Sequence, residues 1–456
     1  MFKLFMKNAA LIFVALVSAQ QVNSKEVTPS GTVSTPTAKE LYIPINTREQ
    51  CGDLKSDTGE YSFKRMKQTE NLAIFWAKKF GTDPMANPDT LLRFDVDYIL
   101  REGERIYNFY VNDLKFVEKG KSITDKYKCL IYIVDSKDAT AYGGGEDNII
   151  GAFWAPPVRM RKAPFGALAH EMGHSFQYLS GIDKAVNNHS EGGGSYGLAE
   201  MTSQFMLWQV YPEWMTFENY HLVDFMKQTH LAFMHGKNMY HSPYVLEYWA
   251  NKHGIDIISK IWREGQKGED PVMTYKRLTS IDQKAFNDEI FDAARRFITW
   301  DMKRIEQVAK PYRNQHFTKL DSIGKDWYRI SESKCPQNYG YNGIKLLVPQ
   351  AGTLVKLNFQ GLAGAEGFNA VKVEKAGWRY GFLAVKSDGR RVYGKTYSYS
   401  TGVASFKVPK DTQYLWLVVS GAPTEHWMKG RGDDKEEQWP YQIKLFGTSV
   451  DVSAMK

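Results

Sequence analysis

The sequence predicts an α+β protein in which a mostly helical domain with a small sheet precedes an all-β sandwich. Apolar residues recur at helical spacing over most of the first 300 or so positions, and two short apolar runs there have the length of buried strands. After about residue 331, apolar and polar residues alternate between turn signals. A chain of 456 residues is long enough for two or three domains. We expect the helical domain over 40–325 and the sandwich over 331–450.

Residues 1–19 have the layout of a secretory signal peptide. Lys3 and Lys7 precede the apolar stretch 9–17, and the small residues Ser18 and Ala19 follow where a signal peptidase would cut. Residues 20–39 are rich in Ser, Thr and Pro and predict a flexible leader. We therefore expect a secreted or periplasmic protein whose mature form has no membrane span; an uncleaved N-terminal anchor is the alternative.

The helical domain should combine long helices with two strands. Helices are predicted over residues 69–80 and 90–117 and, with interruptions, from residue 164 to residue 298. Strands are predicted over residues 129–134 and 148–154, with a Gly-rich turn at 143–145 before the second strand.

Three cysteines are an odd number for an exported protein, and one disulfide plus one buried thiol is the simplest arrangement. Cys129 stands in an apolar run, which predicts that it is the buried thiol. Cys51 and Cys335 are then the expected pair, joining the start of the helical domain to its end.

The predicted sandwich rests on five alternating segments, with turns such as Asp388-Gly389 between them. They cover residues 354–359, 378–385, 403–408, 415–419 and 441–446. A domain of this kind either contacts a glycan or a protein or serves only as a structural cap.

The motif that carries chemistry is His170-Glu171-x-x-His174. Pro164 suits the first turn of a helix and Gly181 its end, and residues four apart on a helix share one face. Two stacked imidazoles can bind a Zn²⁺ ion with a coordination position left open for water, and Glu171 beside them can act as the general base. The alternative is an ordinary helix with two surface histidines and no metal site.

The third zinc ligand distinguishes the classes of zinc peptidase. The metzincin pattern fails, because Gln177 and Ser180 stand where that class needs Gly and His. Glu200 opens a predicted helix over 197–208, and rigid elements hold ligands better than loops do. Glu191 and His189, in a polar Gly-rich loop, remain the alternatives.

With these residues the sequence resembles the gluzincin clan of zinc metallopeptidases, represented by thermolysin and aminopeptidase N. It also looks similar to a poorly characterised family of secreted bacterial gluzincin-like proteins related to the Svx virulence proteins of plant pathogens. The likeness covers about residues 120–300 and, more loosely, the terminal β region. It implies that His170, His174 and Glu200 bind zinc and that Glu171 is the base.

The resemblance also implies two features of the substrate cleft. Residues 149–154 look like the clan's edge strand, which pairs with substrate backbone; an ordinary buried strand is the alternative. The clan further uses a Tyr or His to stabilise the oxyanion, and His241 and Tyr244 are the predicted catalytic donors, with Tyr240 a neighbouring candidate.

The expected function is therefore that of a secreted zinc-dependent peptidase acting on a protein or glycoprotein. A non-catalytic adhesin on the same scaffold, binding glycan or protein, is one alternative, and a metal-dependent amidase acting on cell-surface material is another. A net charge of +8 without a concentrated basic run or a phosphate-binding loop argues against a nucleic-acid partner.

Overall fold

The computed structural model describes residues 38–136, 138–184, 195–428 and 436–455. The predicted signal peptide and nearly all of the predicted leader lie outside these residues. Within them the fold is mixed α+β without a closed barrel, which confirms the predicted class at that level. No helix of the described residues is long and apolar enough to cross a membrane.

A five-stranded mixed sheet lies in the first third of the chain. Its strands are β1 (Met66–Gln68), β2 (Leu72–Trp76), β3 (Cys129–Ile133), β4 (Tyr142–Glu146) and β5 (Ile150–Ala155). The spatial order is β1-β2-β3-β5-β4; β2, β3 and β5 are parallel, and the two edge strands run antiparallel to their neighbours. The parallel strands β2 and β3 are wholly buried, as strands covered on both faces usually are.

Three predictions about this sheet are wrong. The predicted helix over 69–80 contains strand β2, because a short, continuously apolar run fits a buried strand as well as a helix. The predicted Gly-rich turn at 143–145 is strand β4. The predicted edge strand over 149–154 is β5, which lies inside the sheet between β3 and β4, so that β4 is the edge.

One α-helix of the described residues precedes the mixed sheet, one connects β2 to β3, and the others follow the sheet as far as residue 297. The helices are α1 (Ile45–Cys51), α2 (Val96–Asn112), α3 (Pro157–Met160), α4 (Gly166–Lys184), α5 (Ser195–Val210), α6 (Trp214–Phe217), α7 (Tyr220–Lys227), α8 (Tyr244–His253), α9 (Ile257–Glu264), α10 (Pro271–Thr279) and α11 (Gln283–Phe297). Helix α4 packs against β4, β5 and α5, and α2 packs against both α4 and β2. Contrary to the prediction, α4 does not end at Gly181 but continues to Lys184.

Two antiparallel sheets follow the helices. Their strands are β6 (Leu320–Ser322), β7 (Trp327–Ile330), β8 (Tyr341–Leu346), β9 (Leu354–Gly361), β10 (Trp378–Lys386), β11 (Arg391–Tyr393), β12 (Thr401–Lys407), β13 (Thr412–Gly421) and β14 (Tyr441–Phe446). One sheet has the order β11-β10-β13-β8 and the other β12-β9-β14-β7-β6. Every one of the five segments predicted from alternation is a strand.

One hydrophobic cluster joins the two antiparallel sheets. The rings of Phe359 on β9 and Tyr380 on β10 stack with their centroids 4.0 Å apart. The other face of the four-stranded sheet packs on α11, and Trp416 and Val418 belong to the core of the helical region. The helices and the antiparallel sheets therefore share buried surface.

The cysteines do not pair as predicted. All three are free and buried, which confirms the prediction for Cys129 alone. Cys51 belongs to the cluster that covers the outer face of the mixed sheet, whereas Cys335 lies in the cluster between the antiparallel sheets. The expected disulfide is wrong because the two thiols are buried in different cores.

His316, in the segment before β6, predicts a pH dependence of stability. Its side chain is 3% exposed, its Nε2 lies 2.8 Å from the Tyr341 hydroxyl, and burial lowers the pKa of the imidazole to about 3. An unfolded histidine titrates near pH 6.5, so between these two values the unfolded chain binds a proton that folded His316 does not. Its contribution to stability is therefore complete above about pH 6.5 and is lost as the pH falls towards 3.

We expect this histidine to make the free energy of unfolding fall by up to about 1.4 kcal/mol for each unit of pH below about 6. Urea unfolding of the wild type and of His316→Gln, from about pH 7 to about pH 4, measures the effect. The variant should show the smaller slope, because its amide does not titrate. Equal slopes would contradict the assignment.

Candidate metal centre

Helix α4 carries the His-Glu-x-x-His motif along the face that meets helix α5. Gly173 makes the close contact between the two helices: a Cβ at this position would lie 3.0 Å from Ser203 Oγ and 3.3 Å from its Cα. Tyr110 on α2 donates a hydrogen bond of 2.9 Å to the carbonyl oxygen of Ala169, the residue that precedes the motif. The close approach at Gly173 brings Glu200, on the first half of α5, up to the two histidines.

Three side-chain atoms form a nearly equilateral triangle. His170 Nε2 lies 3.2 Å from His174 Nε2, and the Glu200 Oε2 atom lies 3.2 Å from the first nitrogen and 3.3 Å from the second. Ligand atoms bound about 2.0–2.1 Å from a tetrahedral zinc ion lie about 3.3 Å from one another. The two imidazoles and one carboxylate therefore fit three corners of a zinc tetrahedron, with the fourth corner left open.

Two glutamines orient the imidazoles. His170 Nδ1 lies 2.9 Å from Gln204 Oε1, and His174 Nδ1 lies 3.2 Å from Gln177 Oε1. Because an amide oxygen only accepts, each Nδ1 donates a proton to its glutamine, and each Nε2 faces the triangle, where it offers its lone pair once a metal ion takes the place of the proton. Gln177 is itself held by hydrogen bonds from its Nε2 to Ala199 O and Ser203 Oγ at 2.9 and 3.0 Å.

The electrostatics of the triangle favour a cation. Burial opposes ionisation, but hydrogen bonds with His170 and His174 hold the pKa of Glu200 well below its ordinary value. Burial also lowers the pKa of His174, yet the Glu200 carboxylate outweighs it and raises that pKa to about 9. A carboxylate that stays charged beside two imidazoles attracts a proton or a metal ion into the space between the three ligand atoms.

Glu171 lies next to the triangle but is not part of it. Its side chain is 7% exposed, and burial raises its pKa, with His170 and His174 acting in the opposite direction. A carboxylate whose pKa is raised holds a proton more readily than an exposed one does, which suits a group that accepts and returns a proton. Its main chain meets strand β4, where a Cβ on Gly143 would lie 2.3 Å from the Glu171 carbonyl oxygen.

The expectation for Tyr244 requires correction. Its side chain is 0% exposed and lies among Trp208, Phe225 and Trp300, with ring centroids 5.0, 4.6 and 4.5 Å away. The first turn of helix α8 points this residue into the core, where its hydroxyl is buried and out of reach of a substrate.

Three side chains near the start of helices α7 and α8 form a series of rings that reaches His170 of the triangle. The Tyr240 ring stacks on His170 at a centroid distance of 6.3 Å, and the His221 ring lies 6.4 Å from Tyr240. His221 Nδ1 is 2.9 Å from His241 Nδ1, so one of the two donates to the other. Burial lowers the pKa of His221 to about 4 and also lowers that of His241, so both imidazoles are neutral near pH 7. His241 is thus connected to this series of rings through His221.

Sequence reasoning missed three residues of this centre. Gln204 stands four positions after Glu200, one turn along the same helix face, and Gln177 stands three after His174. Both spacings were available as a signal for residues that orient the ligands. No sequence spacing relates His221 to the motif, because only the tertiary packing of α7 brings this residue to the site. The alternative ligands Glu191 and His189 lie outside the described residues.

Three of the solved structures that this chain matches are distant likenesses. The glycosylation associate protein (Gap123) complex from Streptococcus agalactiae is 12% identical over 28% of this chain and 38% of that chain, with a TM-score of 0.16. A functionally unknown conserved protein mutant from Bacillus anthracis str. Ames is 10% identical over 80% and 74%, with a TM-score of 0.28. The M60 catalytic domain with the CBM51-1 and CBM51-2 domains of ZmpB from Clostridium perfringens is 8% identical over 86% and 60%, with a TM-score of 0.26.

The chain thus spans less than two thirds of the first and third of these structures. No curated protein matches it significantly. The profile of one family, described as a family of unknown function (DUF6055), matches residues 33–452. Because that match covers nearly the whole sequence, the protein belongs to the DUF6055 family.

Proposed function

We propose that this protein is a zinc-dependent peptidase of the gluzincin type, with His170, His174 and Glu200 as the zinc ligands and Glu171 as the general base. The observation that carries the proposal is the triangle of 3.2, 3.2 and 3.3 Å between the two Nε2 atoms and the Glu200 oxygen. Its edges match a tetrahedral zinc site, and the buried carboxylate of Glu171 interacts electrostatically with both histidines of the triangle.

The protein groups have separate roles in peptide hydrolysis. Zinc, when bound, supplies a Lewis acid that polarises a carbonyl and lowers the pKa of water to about 7. Glu171 accepts the proton of the attacking water and then delivers it to the leaving amine. Gln177 and Gln204 hold the imidazoles so that their Nε2 atoms face the third ligand.

Tyr240 replaces Tyr244 as the oxyanion donor in this proposal. Its ring stacks on His170, whereas Tyr244 is buried in the core. The neutral His221–His241 pair lies behind Tyr240 and supports its position. A donor fixed before the reaction stabilises the negative charge that develops on the carbonyl oxygen.

The outer edge of β4 is the proposed substrate-binding strand. It replaces β5 in this role, because β5 is paired on both sides while no described strand pairs with the outer side of β4. Gly143 places β4 directly against the backbone of Glu171. An extended peptide added to this edge through main-chain hydrogen bonds would pass beside the proposed base.

The remaining parts of the proposal concern architecture and location. Residues 40–325 form a zincin-like catalytic domain and residues 331–450 a β-sandwich, supported by the two antiparallel sheets with a common core. The chain is exported after loss of residues 1–19 and acts on proteins or glycoproteins in a secreted or periplasmic setting. The sandwich contacts glycan or protein of the substrate.

The test uses the purified mature chain. We expect stoichiometric zinc by elemental analysis, cleavage of casein or of a mixed peptide library, loss of cleavage with a zinc chelator, and recovery when zinc is restored. Zinc without cleavage of any peptide would support the adhesin instead. Cleavage confined to cell-wall or glycan amides would support the amidase. A protein unable to hold any transition metal would remove the basis of both the peptidase and the amidase.

A further inference from the structure

Four aromatic side chains form a ladder across the mixed sheet. Phe75, Tyr132, Trp154 and Tyr142 stand on adjacent strands in the order β2, β3, β5 and β4, each directly opposite the next. Their successive ring centroids are 5.9, 5.5 and 5.2 Å apart, with interplanar angles of 20°, 7° and 15°. The rings therefore stack face to face in one continuous row.

The ladder ends at the unpaired edge of the sheet. Phe75 is 0% exposed and Tyr132 is 0% exposed, whereas Tyr142 is 45% exposed. No described strand lies beyond β4, so the stack stops at Tyr142 because the sheet stops there. Because Tyr142 is the last ring of the row, one face of its ring can contact a side chain of any strand that pairs with the outer side of β4.

The direction of Tyr142 follows from the residues beside it. Side chains alternate between the two faces of a strand. Positions 143 and 145 face helix α4, since a Cβ on Gly143 would meet Glu171 O at 2.3 Å and one on Gly145 would meet the Tyr178 ring at 2.0 Å. Tyr142 consequently points to the opposite face, one residue from the point where β4 touches the backbone of Glu171.

We propose that Tyr142 determines substrate specificity by selecting an aromatic side chain on an extended peptide that pairs with β4. The inference rests on the proposed peptidase function and adds a substrate class to it. A peptide strand added to the edge places one side chain directly opposite Tyr142, about 4.5–5.5 Å away between Cβ atoms. An aromatic residue there extends the ladder by one ring, at the spacing that the four rings already have.

The expected preference follows from the strength of aromatic pairs. Stacked or offset rings contribute beyond the area they bury, which corresponds to a selectivity of about 2- to 10-fold for one subsite. The preference should occur at a single subsite, because alternation points the neighbouring substrate side chains to the face of α4.

A peptide series tests the proposal. One position at a time carries Phe, Leu or Ala, and kcat/KM is measured for the wild type, Tyr142→Ala and Tyr142→Trp, with Tyr399→Ala as the control at another exposed tyrosine. The wild type and the control should prefer Phe over Leu at one subsite by about 2- to 10-fold. Tyr142→Ala should lose that ratio, and Tyr142→Trp, which keeps an aromatic face at the edge, should keep or increase it.

Two outcomes overturn the proposal: no aromatic preference in the wild type, or the same preference in Tyr142→Ala. A binding experiment separates this inference from the peptidase function. Labelled peptides are titrated onto Glu171→Gln and onto Glu171→Gln with Tyr142→Ala; an aromatic preference that depends on Tyr142 supports the inference even where no peptide is cleaved. Displacement of Tyr142-dependent binding by oligosaccharides alone would show that a sugar ring occupies the edge, and would overturn the proposed peptide occupant.

Discussion

Glu171→Gln is expected to abolish peptide cleavage while leaving zinc bound. Glu171 lies outside the triangle formed by the two Nε2 atoms and the Glu200 oxygen, so its replacement removes no ligand. The amide has nearly the volume of the carboxylate but cannot accept and return a proton. General acid–base catalysis contributes about 10²- to 10⁴-fold, and kcat should fall by at least that range.

The measurement is kcat on one cleaved peptide, with zinc content and thermal unfolding determined on the same preparations. Glu366→Gln, which removes an exposed carboxylate in the β region, is the matched control and should behave as the wild type. A variant that retains zinc and wild-type folding yet still cleaves at the wild-type rate would assign the base to another residue. Loss of zinc from Glu171→Gln would instead place Glu171 among the ligands.

Glu200→Gln is expected to lower the affinity for zinc by more than about a hundredfold. The single oxygen Oε2 approaches both imidazole nitrogens, and its carboxylate supplies the only negative charge in the triangle. A neutral amide removes that charge and turns one side of the group into a donor, which repels a cation. Competition with a chromophoric chelator measures the affinity.

Gln204→Leu provides a graded comparison on the same helix. It removes the acceptor that fixes the His170 ring but no ligand, so affinity should fall by about 10- to 100-fold, less than for Glu200→Gln. Gln209→Leu is the control, since its amide donates to Glu247 and not to a histidine. If zinc occupancy is unchanged in Glu200→Gln but falls in Glu191→Ala, the third zinc ligand is Glu191 rather than Glu200.

Much of the candidate centre could be predicted from local sequence patterns. The spacing of His170 and His174 places them one turn apart wherever that segment is helical, and the apolar residues Leu168, Met172 and Phe176 determine which face is buried. Glu200 could be chosen because it stands on a regular helix. The five alternating segments of the β region were equally readable, since period-two alternation marks strands with one buried face.

Tertiary contacts decided the remainder. The segment from Tyr142 to Glu146 looks like a turn in isolation, yet it is a strand because its glycines let β4 lie against the backbone of α4. The orientation of Tyr240 towards His170 and of Tyr244 into the core depends on where helix α8 begins against the other helices. Periodicity and residue type determine local structure over one or two helical turns, so the features that depend on them can be predicted from the sequence. The edge of a sheet, the partner of a thiol and the neighbour of a ring are set by segments far apart in the chain, and only packing brings them together.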